Sequence, residues 1–292
     1  MTTDRPGPFA APTRASGARA VPADGAAPRF VAFVPCAGVG ARAGADGPKQ
    51  YVPIDGRAMV LWTLDALARV DAISQVLVGV MPGDRTVEAL VEGEALAHGA
   101  PSSSPASPSS PSLAARVSVA PCGGDTRADT VARGLAILSA DGVRDHDWVL
   151  VHDAARCLVE PEAIARLVES CRDDAVGGLL AMPLADTLKH ADAHDRVDAT
   201  LDRRGKWAAQ TPQMFRLGLL REALEAARAN GVAVTDEASA VEAMGLAPRL
   251  VRGSYENFKV TWPEDFALAE RLLRGRDALA APAASPEEAR PA

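Results

Sequence analysis

The most constraining feature of the chain is a short apolar run that leads into a glycine-rich segment, RFVAFVPCAGVGARAGADGPKQY at residues 29–51. Five consecutive apolar residues, 30–34, precede a proline, which is typical of a buried β-strand that ends at a loop. The loop carries Arg42 and Lys49. Because glycines let backbone N–H groups approach a bound phosphate closely, the pattern predicts a strand that feeds a phosphate-binding loop.

Taken alone, this loop is equally consistent with a tight turn between a strand and a helix. It lacks the GxxxxGK[ST] pattern of P-loop kinases and ATPases. A nicotinamide site needs GxGxxG and an acidic residue roughly 20 positions later, and GVGARAG resembles the first part only superficially. Arg42 and Lys49 in the same loop favour a multiply charged phosphate as the ligand.

Further along the chain, apolar β-branched runs alternate with segments of helical periodicity. Residues 73–81, 148–151 and 176–182 predict buried strands. Such alternation requires right-handed crossovers and predicts one α/β domain over residues 29–274, with a mainly parallel sheet flanked by helices. Ligands bind beyond the carboxyl ends of such strands, where we expect the loops 35–49, 123–130 and 152–156.

Several segments do not fit this alternation. Residues 1–28 predict a disordered extension, residues 99–115 a Ser/Pro-rich insertion and residues 275–292 a flexible tail. Residues 184–206 contain few periodic apolar positions and predict an excursion, such as an extended hairpin. A short strand is also predicted over 258–260.

The composition argues against two classes of partner. The formal net charge is −7, whereas proteins that bind nucleic acid generally need a basic surface. No window approaches the roughly 20 apolar residues of a membrane-spanning helix, so we expect neither nucleic acid nor a membrane as a partner. Cys36, Cys122, Cys157 and Cys171 include no CxxC pair, which predicts reduced thiols in a soluble cytoplasmic protein.

Two loops carry candidate functional groups. Asp153 follows the strand at 148–151 almost immediately and could cap a turn, but opposite a phosphate loop it is better interpreted as a Mg²⁺ ligand. His152 beside it is assigned a mainly structural role. The sequence GGDTRADT at 123–130 predicts a helix start, where the backbone and Thr130 could read the polar edge of a base.

Seven motifs in order carry a resemblance to a known family: PCAGVGARAGADGPKQY, GGDTRADTV, VLVHDAAR, DTLK, DRRGKWAAQTPQMF, TDEASA and FKVTWPED. Over roughly residues 30–274 the chain resembles the 2-C-methyl-D-erythritol 4-phosphate cytidylyltransferases of the non-mevalonate isoprenoid pathway. The resemblance implies a Rossmann-like nucleotidyltransferase fold and a homodimer whose swapped β-arm is residues 184–206. It also implies transfer of CMP from CTP to a polyol phosphate, with release of pyrophosphate.

The resemblance assigns roles to residues that match the family motifs. Arg42 and Lys49 would stabilise the α-phosphate during transfer, and Asp153 would hold Mg²⁺. The predicted CTP contacts are Ala37, Gly38, Gly124, Asp125, Arg127 and Thr130. The predicted contacts to the polyol phosphate are Arg156, Thr211 and Lys259, joined from the arm of the partner by Thr187 and Arg203.

The chain departs from the family pattern at a few positions. Cys36 and Ala41 stand where relatives often have Ala and Arg, and a Pro that commonly follows Arg156 is missing. Two alternatives remain: a cytidylyltransferase that acts on ribitol 5-phosphate and shares the CTP half of the site, and a nucleotide-binding module without turnover. The presence of Arg42, Lys49 and Asp153 argues against the second.

Overall fold

The computed structural model describes residues 27–38, 47–99 and 113–280. The β-strands in these residues, in chain order, are β1 (Phe30–Pro35), β2 (Pro53–Ile54), β3 (Arg57–Ala58), β4 (Ile73–Gly79), β5 (Val117–Ala120), β6 (Trp148–Val151), β7 (Gly177–Pro183), β8 (Leu188–Ala191), β9 (Val197–Leu201), β10 (Trp207–Arg216) and β11 (Arg249–Arg252). Seven of them form one sheet in the order β11-β7-β10-β6-β1-β4-β5.

The helices are α1 (Met59–Ala68), α2 (Thr86–Gly99), α3 (Leu113–Arg116), α4 (Arg127–Ala140), α5 (Pro161–Cys171), α6 (Leu217–Ala229), α7 (Glu237–Ala243) and α8 (Pro263–Ala280), with a 3-10 helix at Lys49–Tyr51. Within the sheet β1 lies parallel to β4 and β6, β4 to β5, and β11 to β7. Among these seven described strands, only β10 is antiparallel to its neighbours, β6 and β7. The predicted α/β fold with a mainly parallel sheet is confirmed.

Alternate residues of β1 pack into different layers, which places helices on both faces of the sheet. Ala32 and Val34 belong to a core that includes residues of α1 and α5. Val31 and Phe33 belong to a second core that includes residues of α4 and α6. Since successive side chains of a strand point to opposite faces, a central strand covered on both sides must be apolar throughout. This explains why residues 30–34 form a continuous apolar run.

Helix α4 packs unusually close to β1 because it presents a glycine to the sheet. A Cβ atom on Gly134 would lie 2.2 Å from Cζ of Phe33. The aromatic ring therefore occupies the space that any other residue at position 134 would need. This contact fixes α4 against β1, and the N-terminus of α4 lies in the loop region where the sequence predicts a binding site.

The sequence pattern did not reveal β10, and one predicted strand is wrong. β10 contains Gln210 and Gln213, which are buried polar residues, so it has no continuous apolar run. Residues 258–260 form no strand; Val260 instead packs in a small apolar cluster with residues of α8. Helix α8 continues to Ala280, past the predicted boundary at 274.

Residues 184–206 contain β8 and β9, which pair antiparallel as a hairpin separate from the main sheet. Val197 and Leu201 on β9 are 65% and 43% exposed. The predicted role of this hairpin in dimerisation stays a prediction. Residues 1–26, 100–112 and 281–292 lie outside the described residues, and with them most of the predicted extension, insertion and tail. In the part of the chain that is described, no helix is long and apolar enough to cross a membrane.

A buried carboxylate fixes the amino-terminal ends of two central strands. Asp147 is fully buried and precedes β6, while Arg29 precedes β1. Its oxygens accept hydrogen bonds from the backbone N–H and guanidinium of Arg29 and from those of Arg144. Burial alone would raise the pKa of Asp147, but these hydrogen bonds outweigh it and hold the pKa well below its ordinary value.

We predict that Asp147→Asn lowers the free energy of unfolding by about 2 kcal/mol at pH 7, because both arginines lose a charged acceptor. Since the folded pKa is depressed, the stabilisation is present above the unfolded pKa of about 3.9 and is lost as the pH falls through the folded value. Urea unfolding at pH 7 and in acid measures both effects. Asp145→Asn, at an exposed position, is the control; equal stability of the two variants at pH 7 contradicts the prediction.

Candidate active site

A cavity of about 200 Å³ lies at the carboxyl end of β6. Five residues that the sequence predicts for the site line it together: Arg127, Asp153, Arg156, Thr211 and Lys259. They come from the start of α4, the loop after β6, the middle of β10 and the loop before α8. Two of the three loops that the sequence places at the carboxyl ends of the strands, 123–130 and 152–156, therefore meet at this cavity.

Asp153 is the central group of this cavity. It is 8% exposed, and its Oδ1 accepts a hydrogen bond of 2.9 Å from Nε of Arg127. Its Oδ2 lies 2.8 Å from Nζ of Lys259 and 3.9 Å from Nε of Arg156. Burial would raise the pKa of Asp153, but the neighbouring cations, Arg127 first among them, hold it well below its ordinary value. The carboxylate is therefore ionised.

Arg127 is held between two carboxylates. It is the first residue of α4, whose N-terminus is closed by a capping box between Thr126 and Asp129. Its Nη1 and Nη2 atoms donate to the two carboxylate oxygens of Glu237, at 2.6 and 3.1 Å. Glu237 is 1% exposed, and burial raises its pKa although Arg127 opposes that change. This fork-like geometry fixes the guanidinium in one orientation.

Sequence reasoning missed Glu237 as a member of the site. It lies in the quoted motif TDEASA, where an acidic residue after Asp236 indicates an ordinary helix start, because Asp236 is the N-cap of α7. Its partner, Arg127, is 110 positions away in the chain. The only sequence signal was that TDEASA is one of a series of motifs whose other members carry site residues.

The predicted phosphate loop is described at its two ends. Nζ of Lys49 donates to the carbonyl of Val260 at 2.6 Å. The next residue, Gln50, donates from its amide to the carbonyls of Cys36 and Gly38, at 3.0 and 2.9 Å. The two bonds from Gln50 hold the 3-10 helix against the end of β1, where Ala37 and Gly38 lie. Arg42 lies outside the described residues.

The predicted base-reading loop is closed by its own hydrogen bonds. The Thr130 hydroxyl accepts from the N–H of Gly124 at 3.0 Å and donates to the carbonyl of Thr126 at 3.1 Å. A Cβ atom on Gly124 would lie 2.5 Å from Cβ of Asp129, so the close turn requires glycine. Asp125 is exposed at the tip of this loop. Thr130 therefore shapes the loop from the first turn of α4.

Thr211 and His152 form a buried pair behind Asp153. The backbone N–H of Asp153 donates to Oγ1 of Thr211 at 3.0 Å. Burial lowers the pKa of His152 to about 4, so the ring is neutral near pH 7. Because the carbonyl of Arg156 can only accept from Nε2, Nδ1 accepts from the Thr211 hydroxyl. Both ring nitrogens are used in holding the loop after β6.

Two predicted site residues do not reach the cavity. Thr187 and Arg203 lie at the two ends of the β8–β9 hairpin, and both are exposed. Neither lines the cavity of this chain. The predicted contact of these residues with a substrate bound by a partner chain stays a prediction.

The donor set fits a magnesium ion that is shared with a phosphate ligand. Among the described residues, no group of three or more His, Cys, Asp or Glu side chains could hold a metal ion. Mg²⁺ in nucleotide sites typically binds one or two carboxylates and completes its shell with phosphate oxygens and water. The ionised carboxylate of Asp153, which lines the cavity, is a ligand of this kind.

Comparisons with known proteins agree on one family. The family model described as IspD, 2-C-methyl-D-erythritol 4-phosphate cytidylyltransferase, matches residues 30–275. The chain is 49% identical over 252 residues to the enzyme of that name from Cupriavidus pinatubonensis, covering 84% of this chain and 94% of the relative. It is 52% identical over 256 residues to a bifunctional IspD/IspF enzyme from Albidiferax ferrireducens, where the match spans 88% of this chain but only 56% of the relative.

Solved structures show the same likeness. A crystal structure of 4-diphosphocytidyl-2C-methyl-D-erythritol synthase has a TM-score of 0.69 and 37% identity, with 84% of this chain and 99% of the other covered. The 2-C-methyl-D-erythritol 4-phosphate cytidylyltransferase from Thermus thermophilus has a TM-score of 0.63 and 30% identity, again over 84% and 99% of the two chains.

We predict that Glu237→Ala lowers the free energy of unfolding by about 3 kcal/mol, because Arg127 would keep a largely buried charge with only one remaining carboxylate. Chemical denaturation at pH 7 measures the change. Glu225→Ala, at an exposed position on α6, is the matched control and should change stability by less than about 0.5 kcal/mol. Equal effects of the two substitutions would show that the ion pair does not stabilise the fold.

Proposed function

The chain belongs to the 2-C-methyl-D-erythritol 4-phosphate cytidylyltransferase family, and from this premise we propose that it transfers CMP from CTP to 2-C-methyl-D-erythritol 4-phosphate. The products are pyrophosphate and 4-diphosphocytidyl-2-C-methyl-D-erythritol, an intermediate in isoprenoid precursor synthesis. The observation that supports this most directly is the cavity in which Asp153 is surrounded by Arg127, Arg156 and Lys259.

The charge of the cavity suits two phosphorylated substrates. The cations in it or beside it are Arg127, Arg156, Lys259 and Lys49. They outnumber the nearby carboxylates, which are those of Asp153, Asp236 and Glu237, although the protein as a whole has a net charge of −7. Cations at fixed positions in a partly buried site stabilise phosphate anions more strongly than they would in water.

The nucleotide binds along the ends of β1 and the start of α4. Backbone groups of Ala37 and Gly38 and of the loop at Gly124 and Asp125 contact CTP, with Thr130 and Arg127 supporting that loop. Glycine-rich turns favour such contacts because the absence of a side chain lets the backbone approach a ligand closely. The hydrogen bonds from Gln50 to the end of β1 support this assignment, since they hold the backbone of the turn in place.

The reaction is a direct displacement at phosphorus. A phosphate oxygen of the acceptor forms a bond to the α-phosphorus of CTP in line with the bond to the leaving pyrophosphate, which breaks. The attacking phosphate is already ionised near neutral pH, so no general base is needed. His152 is not available for that role, because both of its ring nitrogens are engaged. Positioning and charge stabilisation therefore carry the rate.

Lys49 and Arg42 stabilise the charge that develops on the α-phosphate. The contact of the Lys49 ammonium group with the carbonyl of Val260, next to Lys259, supports this role. Asp153 would hold Mg²⁺, which when bound would neutralise charge on the triphosphate.

The acceptor phosphate binds on the side of the cavity formed by Arg156, Thr211 and Lys259. Thr187 and Arg203 complete this half from the hairpin of a second chain, which makes the protein a homodimer. The exposed apolar residues of the hairpin support such an assembly, because exposed apolar surface commonly marks a protein–protein contact. The four cysteines are buried and free, as expected for the reducing cytoplasm.

We predict that the purified chain releases pyrophosphate when it is given CTP, Mg²⁺ and 2-C-methyl-D-erythritol 4-phosphate. Replacing CTP by ATP, GTP or UTP, or the acceptor by ribitol 5-phosphate, should lower kcat/KM by at least about 100-fold, because buried polar groups would lose their partners. A coupled pyrophosphate assay measures all combinations. Faster turnover with ribitol 5-phosphate would assign a different acceptor, and the absence of pyrophosphate release with either acceptor would contradict enzymatic activity.

We further predict that Lys49→Ala and Arg42→Ala each lower kcat by about 100-fold or more while KM changes little, because both cations act mainly in the transition state. Steady-state kinetics with both substrates varied measure the effect. Arg85→Ala, which removes an exposed cation (88% exposed side chain), is the control and should leave kcat unchanged. Variants of Lys49 with wild-type turnover would remove that residue from the mechanism.

A further inference from the structure

Asn257 is a buried polar residue that connects three elements around the cavity. It is 1% exposed and lies in the loop between β11 and α8. Its side-chain amide donates to the carbonyl of Thr211 at 2.9 Å and to Oε1 of Gln210 at 3.3 Å, both on β10. Its backbone carbonyl accepts from Nη1 of Arg156 at 2.7 Å.

The four residues 257–260, which we name the connecting segment, contact both halves of the site. Lys259 pairs with Asp153 at 2.8 Å, and the carbonyl of Val260 accepts from Lys49 at 2.6 Å. The segment is not a strand, so no ladder of sheet hydrogen bonds defines its course. Besides the bond from the N–H of Val260 to Ala155, the hydrogen bonds of Asn257 hold it against β10.

The residue that receives one of these bonds is itself fixed. The amide of Gln210 donates to the carbonyl of Ser254 at 2.8 Å. Its Oε1 atom lies over Gly253, where a Cβ atom would approach it to 2.1 Å. Gln210 is therefore held in one orientation, and Asn257 bonds to a rigid surface.

Packing alone does not account for an asparagine at this position. Its Oδ1 atom has no hydrogen-bond partner among the described residues, and neither does Nε of Arg156 nearby. An apolar side chain of similar size would remove the cost of that unpaired oxygen, but it would leave the carbonyl of Thr211 and Oε1 of Gln210 without this donor. The amide donors join β10 to the residue whose carbonyl binds Arg156, two positions before Lys259.

We propose that Asn257 is a positioning residue for the acceptor half of the site, an inference that rests on the proposed function. Its backbone carbonyl orients Arg156. Its side chain fixes the segment that carries Lys259 against β10. The residues proposed above to bind CTP lie on other elements, at the end of β1 and the start of α4. Lys49, which the segment also contacts, is proposed to act on kcat and not on binding. Loss of the amide therefore weakens binding of the polyol phosphate selectively.

The test compares two variants at this position with a matched control. Asn257→Asp keeps the shape and removes both N–H donors, whereas Asn257→Ala removes the group. The control is Asn230→Ala: among the residues of this chain Asn230 is the other asparagine, and it lies exposed at the end of α6. Initial rates are measured with the acceptor varied at saturating CTP and with CTP varied at saturating acceptor.

We expect KM for 2-C-methyl-D-erythritol 4-phosphate to rise about tenfold or more in both variants, corresponding to the loss of hydrogen bonds at a buried site. KM for CTP should stay within about twofold of the wild-type value. A parallel rise of both KM values, or unchanged kinetics, overturns the proposal.

Two further outcomes are distinguishable. If neither variant folds, as judged by circular dichroism and thermal unfolding, Asn257 has a structural role only and the proposal is overturned. If the unsubstituted chain itself does not release pyrophosphate, the proposed function fails and this inference fails with it. If the unsubstituted chain releases pyrophosphate and the variants show the same kinetics, only the proposed role of Asn257 is overturned.

Discussion

The arrangement of the site depends on one buried carboxylate. Asp153 lies at the carboxyl end of β6 and is shared by Arg127 and Lys259, with Arg156 at longer range. A charge in this position is tolerated only because these cations offset its desolvation, and each of them comes from a different part of the chain. Helix α4, the loop after β6 and the loop before α8 are therefore held to a common point.

Much of the fold could be predicted because central parallel strands are buried on both faces. Residues 30–34 and 148–151 are continuous apolar runs for that reason. In the helices between such runs, apolar residues recur with the spacing of a helix that covers one face of the sheet. β10 could not be predicted in this way. It is inserted antiparallel between β6 and β7, and its buried Gln213 is satisfied by groups on and before α7 that are distant in sequence. The apolar residues within 258–260 were mistaken for a strand because they pack in the cluster that includes α8.

The site was predictable to the extent that strand ends locate it. Asp153 was found because it follows an apolar strand, and Arg127 and Lys259 because they lie in motifs that match a family. Glu237 was not found, since its bidentate bond to Arg127 joins residues 110 positions apart and an acid in the first turn of a helix has an ordinary capping role. Asn257 was missed because its proposed role depends on bonds to backbone carbonyls, its own and that of Thr211. Every residue has such a carbonyl, so the sequence does not distinguish these two.

Under the proposed function, Asp153 joins a nucleotide half, represented by Arg127, to an acceptor half, represented by Lys259. A double-mutant cycle on kcat/KM for cytidylyl transfer, with Arg127→Gln, Lys259→Gln and the double variant, measures that connection most directly. We predict that the two losses are not additive and differ from their sum by at least about 1 kcal/mol, because both cations act on one carboxylate. Losses that add to within about 0.3 kcal/mol would show that the two halves are independent and would contradict the central role of Asp153.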